Sequence, residues 1–113
     1  MTQRDDQFTL QQLRDHAVEA AQLVSQHCRE DLDKDRVLCL AMIQLMQIVG
    51  EAACRLSEDF HLRHTEVPWS RMIALRNRLI HGYDTIDRDI LWQILSVDLP
   101  ELINQCDNIL REK

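Results

Sequence analysis

Glycine and proline are scarce in this chain, two of each in 113 residues, and aromatic side chains make up only 4% of it. So few turn-formers leave little scope for the closely spaced reversals of an all-β domain. No stretch alternates β-branched with polar residues, which removes the usual mark of a half-buried strand. No two cysteines stand at C-x-x-C spacing, and no apolar run approaches the roughly 18 residues a membrane span requires. A signal-peptide pattern is absent as well, so a cytosolic protein with no membrane contact is expected. What fills the chain is Leu, Ile, Ala, Met, Gln, Glu and Arg, residues that keep their rotamer freedom in a helix. The expected class is all-α, one domain over residues 1–113 with a single core.

Periodicity divides the chain. Leu10, Leu13, Ala17, Ala20, Val24 and Cys28 recur at three and four, which predicts a first helix from about Thr9 to Arg29. Asp31, Asp33 and Asp35 interrupt it as a loop that ends in an N-cap. A second helix is expected from about Asp35 to Glu58. Val37, Leu38, Ile43, Leu45, Ile48 and Val49 belong to an apolar surface covering well over half of its circumference. That is wider than one bundle interior needs, so either this is a thick central helix or part of it faces a second copy, with Gly50, Ala52 and Ala53 allowing close approach. Phe60 to Val67 reads as an irregular connector. Pro68 suits the first residue of a third helix, which Gly82 would end. A fourth helix carries Ile86, Ile90, Leu91, Ile94, Leu95 and Val97. Asp98 and Glu101 bracket Leu99-Pro100 at capping-box spacing, which suggests a break and a short final helix. The expected architecture is an up-and-down four-helix bundle with a short fifth helix, homodimeric.

Charge is uneven. Residues 60–83 hold Arg63, Arg71, Arg76 and Arg78 against Glu66 alone, a balance of +3 in a chain of net −6, so the remainder carries −9. A basic patch on an acidic body fits a localised phosphate site, although an ordinary solvated helix face would account for the charge equally well. The four cysteines (Cys28, Cys39, Cys54, Cys106) lie among apolar residues and read as buried, reduced thiols. No metal or cofactor is expected. His16, His27, His61 and His64 share no ligand face, so a metal-binding bundle ranks last.

The run Leu75-Arg76-Asn77-Arg78-Leu79-Ile80-His81-Gly82-Tyr83 stands apart. RNA cleavage without metal needs a group that moves protons near neutral pH and a fixed cation for phosphate, and His81 and Arg76 supply these types. Five residues of regular helix separate them by about 140° and roughly 7.5 Å of rise, so one chain would not bring both to one phosphate. Either the helix unwinds before His81, or two copies share a cleft under twofold symmetry. Asn77 could orient either group or the RNA, Arg78 adds a cation, and the Tyr83 phenol could donate a hydrogen bond.

Arg76, His81 and Tyr83 fill the pattern R-x-x-x-x-H-x-Y. Around them, in order, stand Gly50-Glu51-Ala52-Ala53, Leu56-Ser57-Glu58, Val67-Pro68-Trp69 and Asp98-Leu99-Pro100-Glu101-Leu102. This ordered set, spanning roughly residues 35 to 105, resembles the HepT-like toxin branch of the HEPN superfamily of helical ribonucleases. The chain departs from many members at Gln44-Leu45, where an Arg-Asn step is common. The resemblance implies a homodimeric toxin paired with a minimal nucleotidyltransferase (MNT) antitoxin. It further implies a metal-independent endoribonuclease with Arg76 and His81 catalytic at the dimer cleft, and Tyr83 as the acceptor of AMP from the antitoxin. The competing expectation is a non-catalytic helical binding partner that presents Tyr83 to such a nucleotidyltransferase.

Overall fold

The structure, a computed structural model, describes residues 3–112. Helix α1 (Gln3–Ser25) begins several residues before the apolar stripe does. Asp5 and Asp6 in its first turn favour the positive end of the helix dipole. Asp6 is also buried, accepting hydrogen bonds from the Ser57 N–H at 2.9 Å and the Ser57 hydroxyl at 2.6 Å. At its other end α1 stops short of the expected Arg29, because the Asp31 carboxylate draws the Cys28 N–H into a turn. The aspartate cluster forms a one-turn helix, α2 (Asp31–Lys34), and then caps α3 (Arg36–Arg55), with Asp35 accepting from the Leu38 N–H at 3.1 Å.

The stretch expected to be irregular contains a helix, α4 (Glu58–Arg63). Its cap explains it: Ser57 accepts from the Phe60 N–H while buried Asp6 holds Ser57 in place. His61 and His64 belong to this packing. His61 Nε2 bonds the Ala53 carbonyl oxygen at 2.8 Å and its ring stacks on Trp69, whose Nε1 donates to the His64 carbonyl. His16 and His27 each bond a carbonyl one turn back in the chain. Pro68 is the cap of α5 (Trp69–Gly82) rather than its first residue, offering its carbonyl to the N–H groups of Arg71 and Met72. A 3-10 turn follows at Tyr83–Thr85.

The last quarter also differs from expectation. Helix α6 (Arg88–Gln93), capped by Asp87, runs through a π turn at Ile94–Asp98 straight into α7 (Leu99–Arg111). No break occurs at Asp98, which has helical dihedrals and caps nothing with its side chain. Pro100 lacks an N–H, and in a regular helix its ring would collide with the carbonyl four residues back. The wider π turn just upstream accommodates it. The expected short fifth helix is therefore the 13-residue second half of one long final segment.

Four antiparallel segments result. Arg55 reaches Gln12 and Ser57 reaches Asp6, which sets α3 against α1. Arg14 bonds Asp107 at 2.8 Å, which sets the final segment against α1, and Arg29 in the turn beyond α1 bonds Asp89 at 2.6 Å. One core joins them, with Leu10, Leu13, Met42, Leu79, Leu91 and Leu95 almost fully buried. The all-α bundle is as expected, with no strand among the described residues. Contrary to expectation, α3 is long and apolar enough to span a membrane by length and composition, and 56% of that apolar window is buried in the bundle. Only Cys39 and Cys106 are buried. Cys28 and Cys54, expected inside, are exposed, Cys28 in the turn after α1 and Cys54 on the outward side of α3.

Candidate nuclease site on helix α5

Helix α5 packs chiefly on α3, and only Trp69 and Leu79 along it are fully buried. The closeness of that packing traces to Gly50. A Cβ placed there would lie 2.4 Å from Arg76 Cβ and 3.0 Å from the Met72 carbonyl oxygen. Gly50 therefore serves a crossing within the chain, beside the arginine of interest. Ala52 and Ala53 are likewise buried within the protein's own core.

At this crossing Arg76 is fixed. Its Nε and Nη2 donate to the same oxygen of Glu51, Oε1, at 2.9 and 2.6 Å, and Nη1 donates to Asn77 Oδ1 at 2.7 Å. Asn77 thus orients the arginine. The Arg76 side chain retains 24% of its accessible surface, enough to meet a ligand. His81 lies in the last turn of α5, exposed, and its imidazole bonds no other described residue. The helix is unbroken through His81 and ends at Gly82, whose φ of −163° and ψ of 49° are no longer helical. Unwinding before His81 is thereby excluded, and the 140° divergence from Arg76 stands.

The remaining candidates spread out. Tyr83 opens the 3-10 turn, 41% exposed, and shares a small pocket with Arg36 and Arg88. Arg78 is exposed, on the opposite face of α5 from Arg76 by helical rotation. Arg71 lies one heptad before Arg78 and lines a groove of ≈ 350 Å³ with Glu66, Asp98 and Glu101, while Arg63 pairs with Asp59. The four arginines therefore form no single basic patch. Glu51 was missed as a site residue. Its position directly after Gly50, in the Gly-Glu-Ala-Ala run, was the available signal.

Beside α5 the outer face of α3 is uncovered. Val37, Leu40, Ala41, Gln44, Ile80 and Tyr83 line an open hollow of ≈ 680 Å³. Val37 is 78% exposed and Ile80 46%.

The family model described as ribonuclease HepT-like matches residues 13–109. A candidate RNase of Caldanaerobacter subterraneus subsp. tengcongensis is 36% identical over 84 residues, 74% of this chain and 75% of its own. A protein assigned as a ribonuclease HepT in Thermococcus cleftensis is 37% identical over 75 residues, 66% of this chain and 68% of its own. A candidate RNase of Methanocaldococcus jannaschii is 30% identical over 102 residues, 90% and 94% of the two chains. No solved structure matches significantly. The chain belongs to the HepT-like ribonuclease family.

Proposed function

We propose that this protein is the toxin of a HEPN/MNT toxin–antitoxin pair, a metal-independent endoribonuclease whose site forms between two copies. One observation carries the reading. On one helix Arg76 is held toward α3 while His81 stands exposed about 140° around from it, and its neighbours Ile80 and Tyr83 line an uncovered apolar hollow. A second copy seated on that hollow would bring two arginines and two histidines to one groove.

In that groove the imidazole of one His81 takes the proton of a ribose 2′-hydroxyl, whose oxygen attacks the adjacent phosphorus. The 5′-oxygen leaves with a proton from the partner's imidazole, and a 2′,3′-cyclic phosphate remains. Arg76 binds the phosphate and offsets the charge that builds on the phosphorane, which a planar guanidinium does better than an ammonium. Tyr83 is the regulatory residue. Its phenol oxygen attacks the α-phosphorus of ATP on the nucleotidyltransferase antitoxin and pyrophosphate leaves. The AMP group adds bulk and negative charge beside the RNA groove. Arg36 and Arg88, which share the small pocket with Tyr83, are cations suited to receive the new phosphodiester.

The test is cleavage of RNA by the purified protein in the presence of EDTA. Wild type is expected to leave 2′,3′-cyclic ends, whereas His81→Ala and Arg76→Ala keep their helical content and lose at least about a hundredfold in rate. Equal cleavage by wild type and both variants would remove the reading. If no RNA is cleaved but the chain still accepts AMP on Tyr83, the protein is instead a non-catalytic partner of the nucleotidyltransferase.

A further inference from the structure

We infer that Glu51 is a positioning residue for the reaction, holding one edge of the Arg76 guanidinium so that its remaining N–H groups meet the phosphate; this rests on the nuclease reading above. Glu51 Oε1 accepts from both Nε and Nη2, and Asn77 Oδ1 takes one N–H of Nη1. A guanidinium carries five N–H groups. Two remain, one on each terminal nitrogen, which is the number that two oxygens of a phosphate require.

The placement of the pair favours this role over two rivals. Glu51 and Arg76 retain 43% and 24% side-chain exposure, and partly solvated pairs contribute little to stability, so a purely structural role is a poor fit. A carboxylate that competed with the substrate would be expected to cover the whole donor set, yet Glu51 engages only one edge. It approaches from α3, where the missing side chain of Gly50 lets the two helices nearly touch. An arginine held in place before RNA arrives loses less freedom on binding and enters the transition state already oriented. The carboxylate also repels phosphate, so the two effects oppose each other and the sign of a substitution decides between them.

The experiment measures single-turnover cleavage by wild type, Glu51→Ala and Glu51→Gln, together with the Arg76 Nε–H resonance of each by NMR. Glu51→Ala is expected to cleave about 10- to 100-fold more slowly, the size of effect a misplaced catalytic group produces. Its affinity for RNA bearing an uncleavable 2′-deoxy linkage should stay within about threefold of wild type. Glu51→Gln should recover most of the rate, since its amide oxygen accepts from the same donors. In an Arg76→Lys background Glu51→Ala should add no further loss. Cleavage by Glu51→Ala at or above the wild-type rate, or a full additional loss beside Arg76→Lys, would overturn the inference. Should wild type cleave no RNA, the nuclease reading fails by itself, and the Nε–H resonance in the presence of inorganic phosphate judges the clamp. A resonance protected in wild type and lost in Glu51→Ala upholds it, and one equal in both overturns it.

Discussion

Cys106 sits on the inner face of α7, close to Asp107 and Arg14. Burial, reinforced by the neighbouring Asp107 carboxylate, pushes its thiol up to about 12 from an ordinary 9.0. Between those values the unfolded chain has released the proton and the folded chain still holds it. Stability therefore falls as pH rises through this window, by about 1.4 kcal/mol per pH unit at most. Urea midpoints measured from pH 8 to pH 10 should drop more steeply for wild type than for Cys106→Ala. Parallel curves would mean that the thiol ionises freely in the folded protein. Arg76 and His81 show the other side of residue-scale reading. Their types and five-residue spacing were plain in the chain, and so was their divergence around the helix. The partner of Arg76 was not, because Glu51 lies 25 positions away on another helix.

Among the elements, α3 and α5 matter most, and Gly50 sets how closely they cross. On an exposed helix Gly→Ala adds up to about 1 kcal/mol of stability through backbone entropy. At Gly50 the added methyl would overlap Arg76 Cβ at 2.4 Å. Gly50→Ala is therefore expected to lose about 1–3 kcal/mol, read as a lower urea midpoint, with slower RNA cleavage as Arg76 is displaced. A variant as stable and as active as wild type would show that the helices can separate freely at this point. The apolar stripes placed α3 and α5 to within about three residues and found α1 with its start about six residues late, since helical periodicity is a local property and helix ends are not. Helix α4 escaped detection because its cap depends on Asp6, about fifty residues earlier. The fusion of α6 with α7 escaped because Asp98-Leu99-Pro100-Glu101 carries every local sign of a new helix start, while the π turn that absorbs the proline leaves no periodic trace.

For the molecule as a whole, the hollow beside α5 is the surface on which the proposed second copy would sit. Val37 stands 78% exposed on its wall. Val37→Glu should cost a lone bundle no more than about 0.5 kcal/mol, whereas against a second copy it would bury an unpaired carboxylate. Light scattering is expected to find wild type dimeric and Val37→Glu monomeric, with helical content retained and RNA cleavage lost. A dimeric, fully active Val37→Glu would move the interface elsewhere.

By itself the sequence determined that the protein is helical, that its most apolar helix is greasy over well over half of its circumference, and that an arginine, a histidine and a tyrosine stand at the end of the third long helix. Each of these follows from residue type and from spacing within one helix, where rotation and rise per residue are constant. Only the tertiary structure decided that Glu51 grips Arg76, that the arginines near residues 60–83 face different ways, and that Cys28 and Cys54 lie outside while Cys39 and Cys106 lie within. Those outcomes depend on how separate helices cross and how closely, which no periodicity along a single helix encodes.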